Sequence, residues 1–305
     1  MSSRYTILLA TIALVGGLTF GCERDNPTAS NTDPHTNDAE AALAEAPTLE
    51  ELEAEVLREV EGTPAKGDRA TAWVNEITGP TVIDQPGVYR LTADFSTDGD
   101  GIVVQSGRVV VLLGHRTITG PGAKEGRGVV VESATHVHIV GGRFVNLGIA
   151  VELNGTSRSS VQGIAVEGSD EFADPANGIP PQIGVLLLNS AHNRVAWNRI
   201  DLVNLGIFVR GGGSYRNDVA LNRVTGGDLG LLAVCYNPAP NAGPEGPSHD
   251  EIFLNHFSRF QIGVQFNAGS DNRASRNLVE YFVAPYEDPN GTNFFVNNRT
   301  KQIEP

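Results

Sequence analysis

Two glutamates, an arginine and two amides recur at one place in the sequence, the end of a short apolar strand. They are Gln105, Glu132, Glu152, Arg210 and Asn267. Because neighbouring strands of a sheet lie about 4.8 Å apart, we expect Glu132 and Glu152 to be adjacent carboxylates on an outer face. Two such groups can share a proton or a cation, and an arginine can bind the carboxylate of an acidic sugar through two hydrogen bonds. The alternative interpretation is a solvated row of charges that only keeps an exposed sheet soluble.

A first long insertion, residues 169–182, interrupts the strand pattern and is acidic. Asp170, Glu171 and Asp174 supply oxygen atoms of the kind that bind calcium. The dense alternation of aspartates found in calcium loops is missing, and solvated acidic loops are commoner than metal sites. The sequence therefore predicts no definite cofactor, with calcium as the alternative.

A second insertion, residues 236–249, begins with Tyr236 and ends with His249. Both side chains can act as a general acid or base. Together with Arg210 as the cation that neutralises a uronate, they are the candidate catalytic residues. Long loops on a rigid scaffold are where functional residues concentrate, so we expect both insertions to border the same sheet.

A repeated unit must position these residues. Each unit begins with glycine and an alternating apolar strand: GIVVQ at 101, GVVVE at 128, GIAVE at 148, GVLLL at 184, GIFVR at 206, GLLAV at 230 and GVQFN at 263. Alternation places the residue after each glycine in the interior. Such units bury their apolar faces only by stacking on one another.

Asparagines recur in a second strand of the later units. One row is Asn198, Asn222, Asn255 and Asn277, and a parallel row is Asn193, Asn217, Asp250 and Asn272. Asparagine tolerates left-handed turns, and its amide can bond to the same residue of the next coil. We interpret both rows as structural ladders and Asp250 as a turn residue.

The glycine-started strands and asparagine rows resemble the right-handed parallel β-helix group that includes pectate-lyase-like proteins. The resemblance covers roughly residues 75–295, and residues 79–96 and 109–120 look like the opening coils of that group. It implies an all-β solenoid of about seven to eight coils. It implies nothing definite about activity, because one fold carries many functions.

The first 22 residues have the pattern of an export signal. Arg4 precedes an apolar run, and Gly21-Cys22 follows it. The segment resembles a lipoprotein signal peptide, which implies a lipid on Cys22 and a periplasmic, outer-membrane or cell-surface location. Ordinary secretion and an uncleaved anchor are the alternatives.

The remaining boundaries follow from composition. Residues 23–47 are polar and acidic, which predicts a flexible tether. Thr48 and Glu51 form a capping-box pattern, so residues 48–74 are predicted as a helix and linker. Residues 75–305 are the β-helix domain.

The formal net charge of −14 argues against nucleic acid as a partner. Membrane contact is expected only through the lipid, and oligomeric state is not predicted.

Two functions remain open. The first is an exported, membrane-tethered module that binds carbohydrate at the cell envelope, and the second is a polysaccharide lyase or uronate epimerase.

Overall fold

The structure is a computed structural model that describes residues 38–61, 74–122, 125–168, 182–234, 246–267, 269–288 and 291–304. The predicted signal peptide and most of the predicted tether lie outside these residues. So do five of the residues singled out above: Cys22, Asp170, Glu171, Asp174 and Tyr236.

The described chain has two helices followed only by strands. The helices are α1 (Asp38–Ala44) and α2 (Leu49–Glu61). The strands are β1 (Val74–Ile77), β2 (Thr81–Ile83), β3 (Gly87–Leu91), β4 (Phe95–Ser96), β5 (Asp100–Val104), β6 (Val109–Thr119), β7 (Arg127–Glu132), β8 (Val137–Val145), β9 (Ile149–Asn154), β10 (Ser160–Gln162), β11 (Ala165–Glu167) and β12 (Ile183–Leu188). They continue as β13 (Arg194–Ala196), β14 (Arg199–Asp201), β15 (Leu205–Arg210), β16 (Asp218–Ala220), β17 (Arg223–Val234), β18 (Glu251–Phe253), β19 (His256–Phe266), β20 (Arg273–Ser275), β21 (Leu278–Glu287), β22 (Phe294–Val296) and β23 (Arg299–Gln302).

The strands form three parallel sheets around one core. The first sheet runs β2, β5, β7, β9, β12 and β15 and ends with the second halves of β17, β19 and β21. The second sheet runs β1, β3, β6, β8, β10, β13, β16, β18, β20 and β22. The third runs β4, β6, β8, β11, β14, β17, β19, β21 and β23. The predicted right-handed parallel β-helix is confirmed.

The interior is a continuous stack of aliphatic and aromatic side chains, as alternation predicted. One unit was misaligned. Ala150, not Gly148, occupies the position of Gly128, because Val129 pairs with Val151. The side chains of Val151 and Leu153 are therefore the buried pair of that unit.

The glycine that starts each unit is required by close packing between coils. A Cβ on Gly206 would lie 2.5 Å from the carbonyl oxygen of Gly230 and 2.3 Å from Cγ1 of Val224. The same crowding occurs at Gly184, where a Cβ would lie 2.5 Å from the carbonyl of Gly206. A side chain there would push successive coils apart.

Both asparagine ladders form, and the left-handed residue of each turn is the one before the asparagine. Trp197, Leu221 and Leu254 have φ values of 61°, 58° and 56°. The asparagine that follows each of them is buried and bonded to its neighbour: Asn198, Asn222 and Asn255. The asparagine thus links the coils, and the residue before it makes the bend.

Helix α2 lies against the outside of the second sheet. The predicted capping box forms, since the backbone N–H of Glu51 donates to Thr48 Oγ1 at 3.2 Å and that of Thr48 donates to Glu51 Oε2 at 2.8 Å. Leu52 and Val56 are buried against valine and leucine side chains of β3, β6 and β8. Helix α1 lies inside the segment predicted to be a flexible tether, because its alanine-rich sequence favours helix.

Within the described residues, no helix has the length and apolar character needed to cross a membrane.

Candidate functional site

The predicted carboxylate pair on the first sheet is not adjacent. Glu132 pairs with Asn154, and Glu152 pairs with Val130. The two-residue misalignment of the Gly148 unit is the reason, since it moves Glu152 into a different outward row. Gln105 and Glu132 are neighbours as expected, with Gln105 Nε2 donating to Glu132 Oε2 at 3.0 Å.

Glu152 is the buried member of a partly exposed ion network. Arg127 donates through Nη1 to Glu152 Oε2 at 2.9 Å and through Nε and Nη2 to Asp100 at 2.7 and 2.6 Å. The hydrogen bonds that Arg127 donates to Asp100, together with the weaker effect of Glu152, raise the pKa of the guanidinium against the opposing effect of burial. Asp100, Arg127 and Glu152 belong to three successive coils, so the network links these coils. Glu152 is only 5% exposed and offers little surface to a ligand.

The middle of the first sheet's outer face is apolar and covered. Ile183, Leu186, Leu205 and Phe208 form a buried cluster separate from the core. The polar outer face that the sequence predicts for this sheet is therefore interrupted by a buried apolar cluster.

The remaining described candidates lie along the connection from the first sheet to the second, at different positions in successive coils. Arg210 ends β15 and pairs with Leu188, three strands beyond Glu132. His249 makes the bend before β18, at the position of Arg216 in the preceding coil, and its Nε2 lies 3.9 Å from Asp271 Oδ2. Asn267 directly follows β19. Arg210 and His249 therefore lie at opposite ends of the connection from the first sheet to the second, in successive coils.

The third sheet carries a more open polar face. Its outward residues form two rows that flank the buried row of Phe144, Val166, Ile200 and Val224. One row is mostly basic and contains Arg143, Ala165, Arg199, Arg223, His256, Leu278 and Arg299. The other row is acidic or hydroxylic in its middle, where Glu167, Asp201, Thr225 and Ser258 follow one another. We call this face the polar strip.

A groove of about 530 Å³ opens on the polar strip. It is lined by Arg143, Ala165, Val166, Glu167, Arg199, Asp201, Leu202 and Thr225. Ala165 lies in register between Arg143 and Arg199, so its small side chain leaves a recess between two long cations. Leu202 turns outward at the edge with 45% of its surface exposed.

Each carboxylate that lines the groove forms an ion pair with a neighbouring arginine. Arg143 Nη2 donates to Glu167 Oε2, and Arg199 Nε donates to Asp201 Oδ2 at 2.6 Å. Glu167 and Asp201 are direct register partners, so the structure does contain two carboxylates on adjacent strands. This is the arrangement the sequence predicted for Glu132 and Glu152, on a different sheet.

His256 and Glu280 are two further ionisable residues of the polar strip, and they lie next to each other. His256 Nε2 is buried without a hydrogen-bond partner, 3.5 Å from Glu280 Oε2. Burial lowers the pKa of His256, so its ring is neutral at pH 7. Burial opposes ionisation of Glu280, yet the hydrogen bond from Lys301 lowers the pKa of that carboxyl below its ordinary value. Because His256 Nε2 is buried and cannot contact a ligand, we assign His256 and Glu280 a structural role in the polar strip.

The sequence contained a signal for the polar strip. The residue after each ladder asparagine is basic in four of the coils, at Arg199, Arg223, His256 and Arg299. Among the described residues, no group of three or more histidine, cysteine, aspartate or glutamate side chains is arranged to hold a metal ion.

No family model and no curated protein matches this chain. Among solved structures, a mutant tailspike protein of E. coli bacteriophage HK620 in complex with a hexasaccharide has a TM-score of 0.48 at 11% identity, over 75% of this chain and 50% of that one. The tailspike protein of E. coli bacteriophage HK620 in complex with a pentasaccharide has a TM-score of 0.44 at 12% identity, over 74% of this chain and 51% of that one. An alginate lyase from Paenibacillus sp. str. FPU-7 has a TM-score of 0.44 at 11% identity, over 83% and 96%. This chain thus spans about half the length of the tailspike.

Proposed function

We propose that this protein binds an acidic polysaccharide along the polar strip, with the recess at Ala165 as the central subsite. The observation that carries the proposal is the groove of about 530 Å³ between Arg143 and Arg199. Its size is within the range of small-ligand sites, which runs from about 300 to 1,000 Å³.

The chemistry of the groove suits a sugar chain. Arginine presents several donors in a fixed plane, and the carboxylates of Glu167 and Asp201 accept hydrogen bonds from hydroxyl groups. The exposed side chain of Leu202 offers an apolar surface for the C–H face of a pyranose ring. Coils repeat about every 4.8 Å, so successive coils can present the same contacts to successive units of an extended polymer.

The charge balance favours an acidic sugar. Counted through β23, the polar strip carries four arginines and one lysine against three carboxylates, although the whole chain has a net charge of −14. These residues are Arg143, Arg199, Arg223, Arg299, Lys301, Glu167, Asp201 and Glu280. Arg223 is exposed in the middle of the basic row. Local excess of arginine is what lets an acidic protein hold an anionic ligand.

The groove supports binding more directly than turnover. Each carboxylate accepts a hydrogen bond from an arginine, which suits a hydrogen-bond acceptor better than a proton donor. The sealed Nε2 of His256 cannot reach a substrate in this conformation. Lyase or epimerase activity remains the alternative function.

The binding test compares substitutions of two arginines that lie on different faces of the same coil. Arg199→Ala should weaken binding of oligouronates, measured by calorimetry, by about tenfold or more, because a charged hydrogen-bonding group is lost. Arg194→Ala, at an arginine that is also exposed but lies on the second sheet, is the matched control and should bind like the parent. Neutral oligosaccharides of equal length should bind more weakly to the parent. Equal affinity of the parent and Arg199→Ala for oligouronates contradicts the proposal.

A separate assay distinguishes binding from turnover. The parent protein is incubated with a panel of polyuronates, and products are examined for unsaturated ends and for epimerised residues. Binding with neither product supports the module, whereas either product supports the alternative function.

We also propose that the protein is exported and anchored through a lipid on Cys22. The proposal rests on the N-terminal sequence, Arg4 followed by an apolar run and Gly21-Cys22. In a bacterial host fed a radiolabelled fatty acid, the parent should carry label and partition with membranes. Cys22→Ser should lose the label, and retention of label would contradict this assignment.

A further inference from the structure

The asparagine ladders follow one hydrogen-bond rule. Each Oδ1 accepts from the ladder residue of the preceding coil, and each Nδ2 before the last coil donates to the backbone carbonyl three residues before that ladder residue. In the last coil, Asn293 Nδ2 donates instead to Asp288 Oδ1 at 3.1 Å. In the row that contains Asp250, the donations are from Asn193 to Thr156, from Asn217 to Ser190 and from Asn272 to Pro247. In the other row, the donors are Asn198, Asn222, Asn255, Asn277 and Asn298. An amide satisfies both needs because it is an acceptor and a donor.

Asp250 occupies this row but lacks an amide. Its Oδ1 keeps the acceptor role, receiving the backbone N–H of Asn217 at 2.7 Å and Asn217 Nδ2 at 3.1 Å. Its Oδ2 stands in place of the donating nitrogen and is buried without a partner. By the rule of the ladder, the group that Oδ2 meets is the carbonyl of Ser214. Two unprotonated oxygens facing each other in a buried site repel, whereas a carboxylic acid has a proton to donate.

The charged groups around Asp250 do not offset a buried negative charge. On the preceding coil Asp218 is exposed and of the same sign, and on its own strand so is Glu251. On the following coil Arg273 and Asp271 are exposed, and His249 lies near Asp271 at 3.9 Å. Asp250 itself is 1% exposed. Burial raises its pKa to about 7, opposed by the hydrogen bonds from Asn217 and assisted by Asp218.

We propose that Asp250 is a protonated rung of the ladder, a neutral carboxylic acid whose Oδ2–H donates to the carbonyl of Ser214. The ladder is continuous through this coil only while the proton is bound. Loss of the proton leaves a buried carboxylate against a carbonyl and weakens the junction of the coils that contain Asn217 and Asp250. The solenoid therefore has a pH-dependent joint at a defined place.

The sign of the pH dependence is specific. The pKa of Asp250 in the folded protein, about 7, lies above the ordinary value of 3.8 expected in the unfolded chain. Stability from the bound proton is thus complete below the unfolded value and is lost as pH rises through about 7. Relative to Asp250→Asn, the parent's unfolding constant should rise by up to tenfold per pH unit between these limits, and then level off.

The test is denaturant unfolding of three proteins across this pH range. Asp250→Asn restores the amide and should be increasingly more stable than the parent as pH rises. Glu251→Gln removes a charge of the same sign from the neighbouring exposed position but keeps Asp250, so it should become less stable than Asp250→Asn as pH rises, as the parent does. If the difference between the parent and Asp250→Asn is independent of pH, the proposal is overturned.

Infrared difference spectroscopy provides a second readout that does not depend on unfolding. At a pH near 6 the folded parent should show the carbonyl band of a protonated carboxylic acid, sensitive to deuterium exchange, and Asp250→Asn should lack it. A parent spectrum without this band at that pH also overturns the proposal.

Discussion

The side-chain amide of Asn222 donates to Oδ1 of Asn255, one coil further along the solenoid, at 2.9 Å. The same oxygen accepts the backbone N–H of Asn222 at 2.9 Å, while Asn222 Nδ2 also donates to the carbonyl of Val195 at 2.8 Å. One side chain therefore joins three successive coils. Because all these groups are buried, each bond also removes the cost of an unpaired polar group.

Replacing this residue tests the ladder directly. Asn222→Ala should lower the free energy of unfolding by about 3 kcal/mol or more, since several buried partners lose their bonds at once. Asn154→Ala, at a partly exposed outward position of β9, is the control and should change stability by less than about 0.5 kcal/mol. Urea unfolding followed by circular dichroism measures both. A small effect at Asn222 would mean that water replaces the lost amide.

The glycine that begins each unit is predicted to be irreplaceable where coils crowd it. A Cβ at Gly206 meets backbone and side-chain atoms at 2.5 and 2.3 Å. Gly206→Ala should therefore cost about 2–3 kcal/mol through overpacking. At Gly99 nothing lies within 4 Å of the added Cβ, and Gly99→Ala should be nearly neutral. Thermal unfolding of the pair provides the comparison, and equal midpoints would contradict the packing argument.

The recess at Ala165 gives a prediction about binding that leaves the core untouched. Ala165→Trp places a large side chain between Arg143 and Arg199, so oligouronate binding should fall at least tenfold with little change in unfolding midpoint. Ala165→Ser keeps the recess and should bind like the parent. Calorimetry with the same oligouronate measures both variants. Unchanged affinity in Ala165→Trp would place the ligand elsewhere.

His138 is predicted to make the fold acid-sensitive, with a sign opposite to that of Asp250. It is 7% exposed, its Nδ1 lies 2.9 Å from Ser160 Oγ, and burial lowers its pKa below 6.5 despite the nearby charge of Glu59. Its neutral form contributes stability above the unfolded value, and that stability is lost as pH falls below it, by up to about 1.4 kcal/mol per pH unit.

His138→Gln should remove this part of the acid sensitivity, because glutamine has no charge to bury. His115→Gln, at an exposed histidine of β6, should leave the acid limb unchanged. Unfolding free energies between about pH 7 and 5 distinguish the two variants. An identical acid limb in the parent and His138→Gln would assign the sensitivity to other groups.

Local regularities in the sequence were sufficient for the fold. Alternating apolar residues identified the interior rows, and the repeated asparagines identified the ladders, because both patterns repeat with each coil and depend on neighbours in the stack. The capping box of Thr48 and Glu51 was equally readable, since it involves residues three positions apart. The roles of Gln105, Asn267 and Arg210 in binding or catalysis stay predictions, as do those of His249 and the residues outside the described chain.

Register between coils was decided only by the tertiary structure. Gly148 looked like a unit start, yet core packing placed Ala150 there, and the two-residue shift separated Glu132 from Glu152. The same stacking brought Glu167 beside Asp201, which lie 34 residues apart according to the parallel register of β11 and β14. Sequence alone determines which residues face outward, because alternation is local. Which outward residues become neighbours depends on coil length and packing, and those are properties of the assembled solenoid.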